Sequence, residues 1–137
     1  MVLGDPIPGA RMVYIGDIGR LDNVREVVAG ADTLVIEATF LDADADTAAR
    51  FGHITAGQAA RLALETGVRS LILTHVSRRY REIEIINEAC SIFPEAVVAR
   101  DLDHFVIRRG QPCIKLSRED SRARNPEPHL EVEEPDA

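Results

Sequence analysis

The sequence predicts an α/β fold in which a β-sheet is flanked by helices. Strand-like apolar runs alternate with helix-like segments along the 137 residues, which is typical of a layered α/β domain. Two of these runs are apolar without alternation, as expected for strands that are covered on both faces. Hydrophobic residues make up 45% of the chain and aromatic residues only 4%, so the core of this single domain must be aliphatic.

Glycine, proline and apolar spacing define the predicted elements of the first half. These are a loop at residues 4–10, a strand at 11–15, a helix at 21–30, a buried strand at 33–38 and a helix at 42–52. Asp22 is a typical N-cap for the first helix, and Gly30 is a typical stop. Acidic residues open the second helix, where they complement the helix dipole.

The second half continues the alternation and then changes in composition. It predicts a helix at 55–67, a buried strand at 70–75, a helix at 81–93 and closing strands at 96–101 and 104–109. Thr55 caps the first of these helices, and Gly67 ends it. Residues 1–116 are therefore assigned to one domain. Residues 117–137 carry seven acidic and three basic residues, which predicts a disordered acidic tail.

Charge, cysteine content and the N-terminus narrow the functional classes. The net charge of −7 argues against broad non-specific binding of nucleic acid, but it leaves room for a local basic patch. Cys90 and Cys113 do not make a disulfide framework, which favours a reducing cytoplasmic setting. The first residues do not resemble a signal peptide, and no apolar run approaches the roughly 20 residues that span a bilayer. We therefore expect a soluble intracellular protein.

Polar residues lie at the ends of predicted strands and in the loops that follow, where α/β folds usually build their sites. Asp17, between glycines in YIGDIG, and His75, at the end of LILTH, are candidate metal ligands. The alternative is that Asp17 supports its loop and His75 hydrogen-bonds at the sheet edge. Glu37 interrupts an apolar strand and could orient a histidine or ligand, or be satisfied by backbone amides. His53 precedes a helix N-terminus, where it could help to hold phosphate or simply pack on the cap.

A basic group follows His75 at once. Arg78, Arg79 and Arg81 surround Tyr80, and arginine forks and an aromatic ring can contact phosphates and bases. The alternative is that these arginines are solvated at the start of a helix. Two metal ligands do not make a site by themselves, since a catalytic zinc usually has about three protein ligands.

Five motifs, taken in order, resemble one known family. YIGDIG, GADTLVIEATF, GHITAGQAA, LILTHVSRRY and IFPEAVVARD resemble the C-terminal half of the ribonuclease Z family. These enzymes have the metallo-β-lactamase fold and process the 3′ ends of tRNA precursors. The resemblance covers roughly residues 4–107. It implies that residues 1–116 form half of an αββα sandwich.

The resemblance implies a role for each matching residue. Asp17 matches the aspartate that bridges two metal ions, and His75 matches a histidine ligand. Glu37 and His53 match a catalytic pair that orients groups and transfers protons at the scissile phosphate. Ser77, Arg79 and Tyr80 match a stretch near the RNA substrate. Zinc, or alternatively manganese, is the implied cofactor of a two-metal site.

The sequence also departs from the family pattern. Three isoleucines replace family residues that adjoin the matched ones. Ile36 stands in place of a histidine, Ile18 in place of a threonine and Ile54 in place of a serine. The family's His-x-His-x-Asp-His motif is not formed by any of the four histidines. By this resemblance the chain carries half of a binuclear site, binds metal weakly alone and does not turn over. An N-terminal half or a second copy of the chain, as a homodimer, is the implied partner.

Three hypotheses follow from these observations. The first is part of a metal-dependent phosphodiesterase or endoribonuclease of the ribonuclease Z type. The second is a non-catalytic half-domain that dimerises or binds a partner through the sheet face that its other half would cover. The third is an unrelated α/β binding domain in which the motifs are structural.

Overall fold

A four-stranded parallel sheet organises the computed structural model, which describes residues 3–124. The strands are β1 (Met12–Ile15), β2 (Thr33–Glu37), β3 (Ser70–Thr74) and β4 (Val97–Val98), and they lie side by side in chain order. The helices between them are α1 (Arg25–Val28), α2 (Ala45–Arg50), α3 (Ala56–Thr66) and α4 (Glu82–Cys90), with one 3-10 turn at Asp42–Asp44. The predicted α/β fold, a sheet with flanking helices, is confirmed.

One face of the sheet packs against the helices. Crossovers between parallel strands are right-handed, so a sheet in chain order receives its connecting helices on one side. The strand side chains that face the helices are fully buried. They are Leu34 and Ile36 of β2, and Leu71 and Leu73 of β3. They form the core with small and aliphatic residues of α1, α3 and α4. The core is aliphatic, as the composition predicts.

The described residues cover the opposite face of the sheet only in part. On β1, Met12 is 52% exposed and Tyr14 is 66% exposed. On β3, by contrast, Ile72 is buried, and the Ser70 hydroxyl accepts a hydrogen bond from the Cys113 N–H at 2.6 Å. The segment at Cys113 therefore covers the start of β3, and the β1 side of this face stays open to solvent. We call this β1 side, with Met12 and Tyr14, the open face.

The first predicted helix is shorter than expected. Residues 21–30 contain only α1, with four residues. Asp22 is not at the N-cap position, and its exposed carboxylate lies 3.1 Å from the Arg20 guanidinium. Val24 stands at the N-cap position and makes no capping hydrogen bond with its side chain. A helix without a cap loses the hydrogen bonds that would extend its first turn.

The closing strands also differ from the prediction. Residues 96–101 contribute the two-residue strand β4, which pairs in parallel with β3. Residues 104–109 contribute β5 (Phe105–Val106), which leaves the main sheet and pairs antiparallel with β6 (Ile114–Lys115). The sequence did not indicate β6, since two residues carry too little periodicity to identify a strand.

The prediction of a disordered tail from residue 117 is wrong for its first part. Helix α5 (Arg118–Arg124) forms there, and the Ser117 hydroxyl accepts the Asp120 N–H at 3.1 Å as a cap. No side chain of this helix is buried. The remainder of the predicted tail, residues 125–137, lies outside the described residues. Among the helices between residues 3 and 124, none has the length and apolar character needed to cross a membrane.

Candidate metal centre

Three strand ends meet at one edge of the sheet. Because β1, β2 and β3 are parallel, their carboxyl ends lie together, and Asp17, Thr39 and His75 follow them. His53 lies on the turn before α3, where Phe40 and Thr55 form a parallel β-bridge. One potential ligand atom from each of Asp17, His53 and His75 lies within 4.8 Å of the others.

His75 lies at a sharp turn of the backbone. Its φ of 53° is in the left-handed region, which is uncommon for a residue other than glycine and is often found at functional sites. The Thr39 hydroxyl oxygen lies 2.9 Å from the His75 carbonyl oxygen and 3.0 Å from its ring Nδ1. Asp17 Oδ1 is 3.4 Å from the same nitrogen. The ring remains 56% exposed, so it is accessible from solvent.

Glu37 is fully buried beneath these residues, on the sheet face opposite the helices. Its Oε1 accepts a hydrogen bond from the Ile18 N–H at 2.6 Å. Its Oε2 lies 2.9 Å from His53 Nδ1 and accepts the Thr39 hydroxyl proton. A buried carboxylate is costly unless donors surround it, and Glu37 has three. Both oxygens are engaged, so the contacts of Glu37 are with these neighbouring groups.

His53 is held against its neighbours by a close approach of two loops. The side chain is 20% exposed, and its ring centroid lies 5.3 Å from that of His75. Gly52, just before it, has a φ of 72°, and a Cβ added at Gly19 would lie 2.9 Å from the Gly52 Cα. These glycines let the Asp17 loop and the His53 turn touch.

A second polar cluster fixes the start of α3. Arg61 binds the Asp42 carboxylate at 3.0 and 3.2 Å, and this hydrogen bonding lowers the pKa of Asp42, with a smaller contribution from the Thr55 hydroxyl. Glu88 accepts the N–H groups of Asp42 and Gly57, each at 3.0 Å. Thr55 also forms a capping box with Gln58. Because His53 lies two residues before Thr55, this cluster positions the turn that carries His53.

The candidate substrate residues, Ser77, Arg79 and Tyr80, lie on the loop after His75. Their side chains contact other residues of the protein. The Tyr80 hydroxyl donates to Asp44, and burial, together with this bond, raises the pKa of Tyr80. The Arg79 guanidinium lies 5.5 Å over the Phe40 ring and 3.9 Å from Asp44. Ser77 Oγ accepts the Arg79 N–H at 3.2 Å.

An open groove adjoins this loop. It has a volume of about 480 Å³, and its lining includes His75, Ser77, Arg78 and Tyr80. Arg78 is exposed, and Arg81 stands at the N-cap position of α4, 81% exposed and 3.8 Å from Glu84. Arg79 is not part of the lining, although the sequence grouped it with Ser77 and Tyr80.

The structure brings together all four strand-end and loop residues that the sequence singled out. Asp17, His53 and His75 converge, and Glu37 lies behind them. Sequence reasoning missed Thr39, which touches both Glu37 and His75. The signal that could have found it is the one used for the others, a polar side chain just after a buried strand.

The donor set fits a metal ion. A carboxylate and two imidazoles are typical ligands of zinc and similar ions, and about three protein ligands is the usual number for a catalytic zinc. Asp17 and His75 are two such donors, and His53 brings a third potential donor atom within 4.8 Å of both. In the part of the chain that the structure describes, these three are the donors brought together, so a two-metal centre needs further ligands.

Comparison with known proteins matches this geometry to one superfamily. Residues 1–76 match the model of the beta-lactamase superfamily domain. The ribonuclease Z of Bradyrhizobium diazoefficiens is 48% identical over 106 residues, which are 77% of this chain and 35% of that enzyme. The ribonuclease Z of Nocardia farcinica is 50% identical over 102 residues, which are 73% of this chain and 33% of that enzyme.

Two solved structures are similar in fold. The metallo-beta-lactamase fold protein YhfI from Bacillus subtilis has a TM-score of 0.58 and 30% identity, over 65% of this chain and 36% of that protein. The short form of human tRNase Z has a TM-score of 0.53 and 29% identity, over 67% of this chain and 31% of that protein. The chain thus spans about a third of the length of the relatives that it matches.

Proposed function

Because the chain belongs to the beta-lactamase superfamily, we propose that it forms one wall of a metal-dependent phosphodiesterase site of the ribonuclease Z type. The observation that carries this proposal is the convergence of Asp17, His53 and His75 within 4.8 Å above the buried Glu37. Nearly half of the aligned residues are identical to those of a ribonuclease Z. The reaction would be hydrolytic cleavage of RNA near a tRNA 3′ end.

Zinc is the cofactor we propose, with manganese as the alternative. Asp17 and His75 would hold the metal, which when bound supplies Lewis acidity and activates water for attack on phosphorus. His53 would move a proton at the scissile phosphate. Its Nδ1 is engaged by Glu37 at 2.9 Å, so Nε2 is the ring atom available for exchange. Glu37 would orient His53 through this contact.

The loop after His75 would hold the RNA. Ser77, Arg79 and Tyr80 are the residues we propose for this contact, and the groove of about 480 Å³ lies beside two of them. Arg79 is 54% exposed and lies 3.9 Å from Asp44, a distance at which an ion pair is weak. A phosphate group can therefore compete with Asp44 for the guanidinium at little cost.

A complete centre would need ligands from another polypeptide segment. The chain spans about a third of the related enzymes, and its open face carries exposed apolar side chains. We propose that an N-terminal half of the domain, or alternatively a second copy of this chain, supplies the remaining ligands and covers this face. A reducing cytoplasmic setting suits the two free cysteines.

The test is complementation in solution. The chain would be mixed with the remaining N-terminal part of the Bradyrhizobium diazoefficiens ribonuclease Z, and complex formation would be checked by sedimentation. Zinc binding and cleavage of a tRNA precursor and of bis(p-nitrophenyl) phosphate would then be measured. We expect weak zinc binding and no turnover from the chain alone, and turnover from the complex. The Asp17→Asn variant should form the complex without turnover, and an inactive wild-type complex would contradict the proposal.

A second candidate function is favoured by the open face itself. Met12 and Tyr14 are more than half exposed, as expected of a surface that docks a partner or a second copy. In this case the strand-end residues would be structural, and the chain would be a non-catalytic half-domain. A stable dimer that binds no zinc, and stays inactive after complementation, would support this function over the first.

A further inference from the structure

We propose that Thr39 is a positioning residue whose hydroxyl group fixes the tautomer of His75 and links that ring to Glu37. Thr39 is buried just beyond the end of β2. Its Oγ1 contacts three groups: Glu37 Oε2, the His75 carbonyl oxygen at 2.9 Å and His75 Nδ1 at 3.0 Å. The tautomer can be tested without metal, whereas its consequence for metal binding rests on the proposed function.

The number of available protons determines how these contacts are made. A threonine hydroxyl has one proton to donate and two lone pairs that accept. The Glu37 carboxylate and the His75 carbonyl are acceptors only, so the Thr39 proton is directed to one of these oxygens. The contact with the ring is then satisfied when His75 Nδ1 carries a proton and donates it to Thr39 Oγ1. The Nε2 of His75 keeps its lone pair.

The other neighbours of His75 Nδ1 are also acceptors. Asp17 Oδ1 lies 3.4 Å away and Glu37 Oε2 lies 4.0 Å away. Thr39 is the nearest of these partners, and it is buried, whereas the Asp17 side chain is 69% exposed. A part-buried hydrogen bond at 3.0 Å constrains the ring more than a longer contact with a solvated carboxylate. We therefore assign the orientation of His75 to Thr39 and not to Asp17.

Glu37 imposes the same arrangement on the neighbouring ring. His53 Nδ1 lies 2.9 Å from Glu37 Oε2, so His53 also carries its proton on Nδ1. The carboxylate sets His53 directly and sets His75 through the Thr39 hydroxyl. Both rings then leave Nε2 free, one to ligate and the other to exchange protons. Fixing the tautomer of a ligating histidine through its second nitrogen is a known means of raising metal affinity.

The tautomer can be measured by nitrogen-15 NMR of the full chain, labelled on histidine and free of metal. Spectra would be recorded over a series of pH values, and the tautomer would be read where the ring signals no longer change with pH. We expect the His75 signals to show a protonated Nδ1 and an unprotonated Nε2, with the assignment made from the His75→Gln variant. Thr39→Val should shift His75 toward the Nε2–H form that free histidine favours, and Thr39→Ser should restore the wild-type spectrum.

Two further variants separate this role from general effects. Thr33→Val is the matched control, because Thr33 is a buried threonine at the start of β2 whose hydroxyl finds no partner among the described residues. It should leave the His75 signals unchanged. Asp17→Ala should also leave Nδ1 protonated. The proposal is overturned if His75 is Nε2–H in the wild type, if Thr39→Val leaves it unchanged, or if Asp17→Ala alone shifts it.

Zinc affinity, measured by competition with a chelating dye, gives the second readout. We expect Thr39→Val to weaken zinc binding by about 10- to 100-fold, which is the usual effect of removing a group that orients a ligand. Thr39→Ser should stay near the wild type. If the tautomer behaves as expected but the wild type and its complex bind no zinc, the proposed function fails and the role of Thr39 stands. If zinc binds and Thr39→Val changes neither readout, the role of Thr39 fails alone.

Discussion

Glu37 is the residue on which most of the site depends. Its two oxygens receive the Ile18 N–H, the Thr39 hydroxyl and His53 Nδ1. Glu37→Gln keeps the size of the side chain but turns an NH2 group toward one of these donors. We expect the free energy of unfolding in urea to fall by about 1–3 kcal/mol, the cost of an unsatisfied buried group. The same change at the exposed Glu95 should have no measurable effect, and an unchanged midpoint for Glu37→Gln would contradict this account.

Asp32 lies at the opposite end of the sheet, and it makes the free energy of unfolding depend on pH. Its carboxylate accepts the Arg11 N–H at 2.8 Å and the Gly110 N–H at 2.7 Å, and these bonds lower the pKa of Asp32. A lowered pKa adds stability above the ordinary value of an aspartate, and this contribution is lost as pH falls through the folded value. The Asp32→Asn variant should be less stable than the wild type near neutral pH.

The measurement for Asp32 is urea unfolding over the acid range. Below about pH 4, near the ordinary aspartate pKa, the difference between wild type and Asp32→Asn should narrow. A difference that stays constant from neutral to acid pH would show that the ionised carboxylate is not the stabilising form.

At the scale of single residues, the sequence predicted positions better than contacts. Asp17, Glu37, His53 and His75 were identifiable because polar side chains next to buried strands or helix starts are unusual. The orientation of Arg79 and Tyr80 was not predictable. It depends on Asp44, which lies on a turn far earlier in the chain and has no sequence relation to them.

Helix α3 carries the clearest test at the scale of an element. Gly57 lies in its first turn, and a Cβ added there would lie 2.2 Å from Asp42 Oδ2. Asp42 is held by Arg61 and Thr55, so it cannot move without breaking those bonds. We expect Gly57→Ala to lower the free energy of unfolding by about 1–3 kcal/mol, the usual cost of overpacking, although alanine favours helices.

The control for this change is Gly4→Ala, because no atom lies within 4 Å of a Cβ built at Gly4. Thermal unfolding of both variants measures whether Gly57→Ala lowers the stability and Gly4→Ala leaves it unchanged. If Gly57→Ala is as stable as the wild type, Asp42 has room to relax, and the cluster does not fix the start of α3.

The elements that the sequence predicted well are those with local signals. The helix expected at 55–67 begins at Ala56 and ends at Thr66, since the Thr55–Gln58 capping box and the left-handed Gly67 both act within a few residues. Strand β6 and the shortness of α1 were missed. Strand β6 depends on pairing with β5, which only the folded chain reveals, and α1 begins at Arg25 without a capping side chain that would mark its start.

The open face decides how the whole molecule behaves in solution. Met12 and Tyr14 present apolar area beside β1, which pairs within the described residues only with β2. We expect the isolated chain to associate at high concentration, and Tyr14→Lys to reduce this association by adding charge to the face. Sedimentation velocity over a concentration series is the measurement, with Phe51→Lys as a control at an exposed aromatic elsewhere. A wild type that stays monomeric throughout would contradict this expectation.

Whole-molecule organisation was only partly predictable. Alternating strands and helices indicate a parallel sheet, and the aliphatic composition indicates its core. The partial cover over Ile72 was not predictable, because it comes from the segment at Cys113, which bonds to Ser70 across 43 residues. Contacts of that sequence separation leave no periodic pattern in the chain.

The parallel sheet has a consequence for the order in which the chain assembles. Met12 pairs with Thr33 and Thr33 pairs with Ser70, so each pairing must close a long loop before any contact is gained. Thr39 and His75 meet across 36 residues. We therefore expect the ligand cluster to form late in folding, after both pairings. Any ion that it captures would bind the finished sheet in preference to earlier species, and would slow unfolding more than it speeds folding.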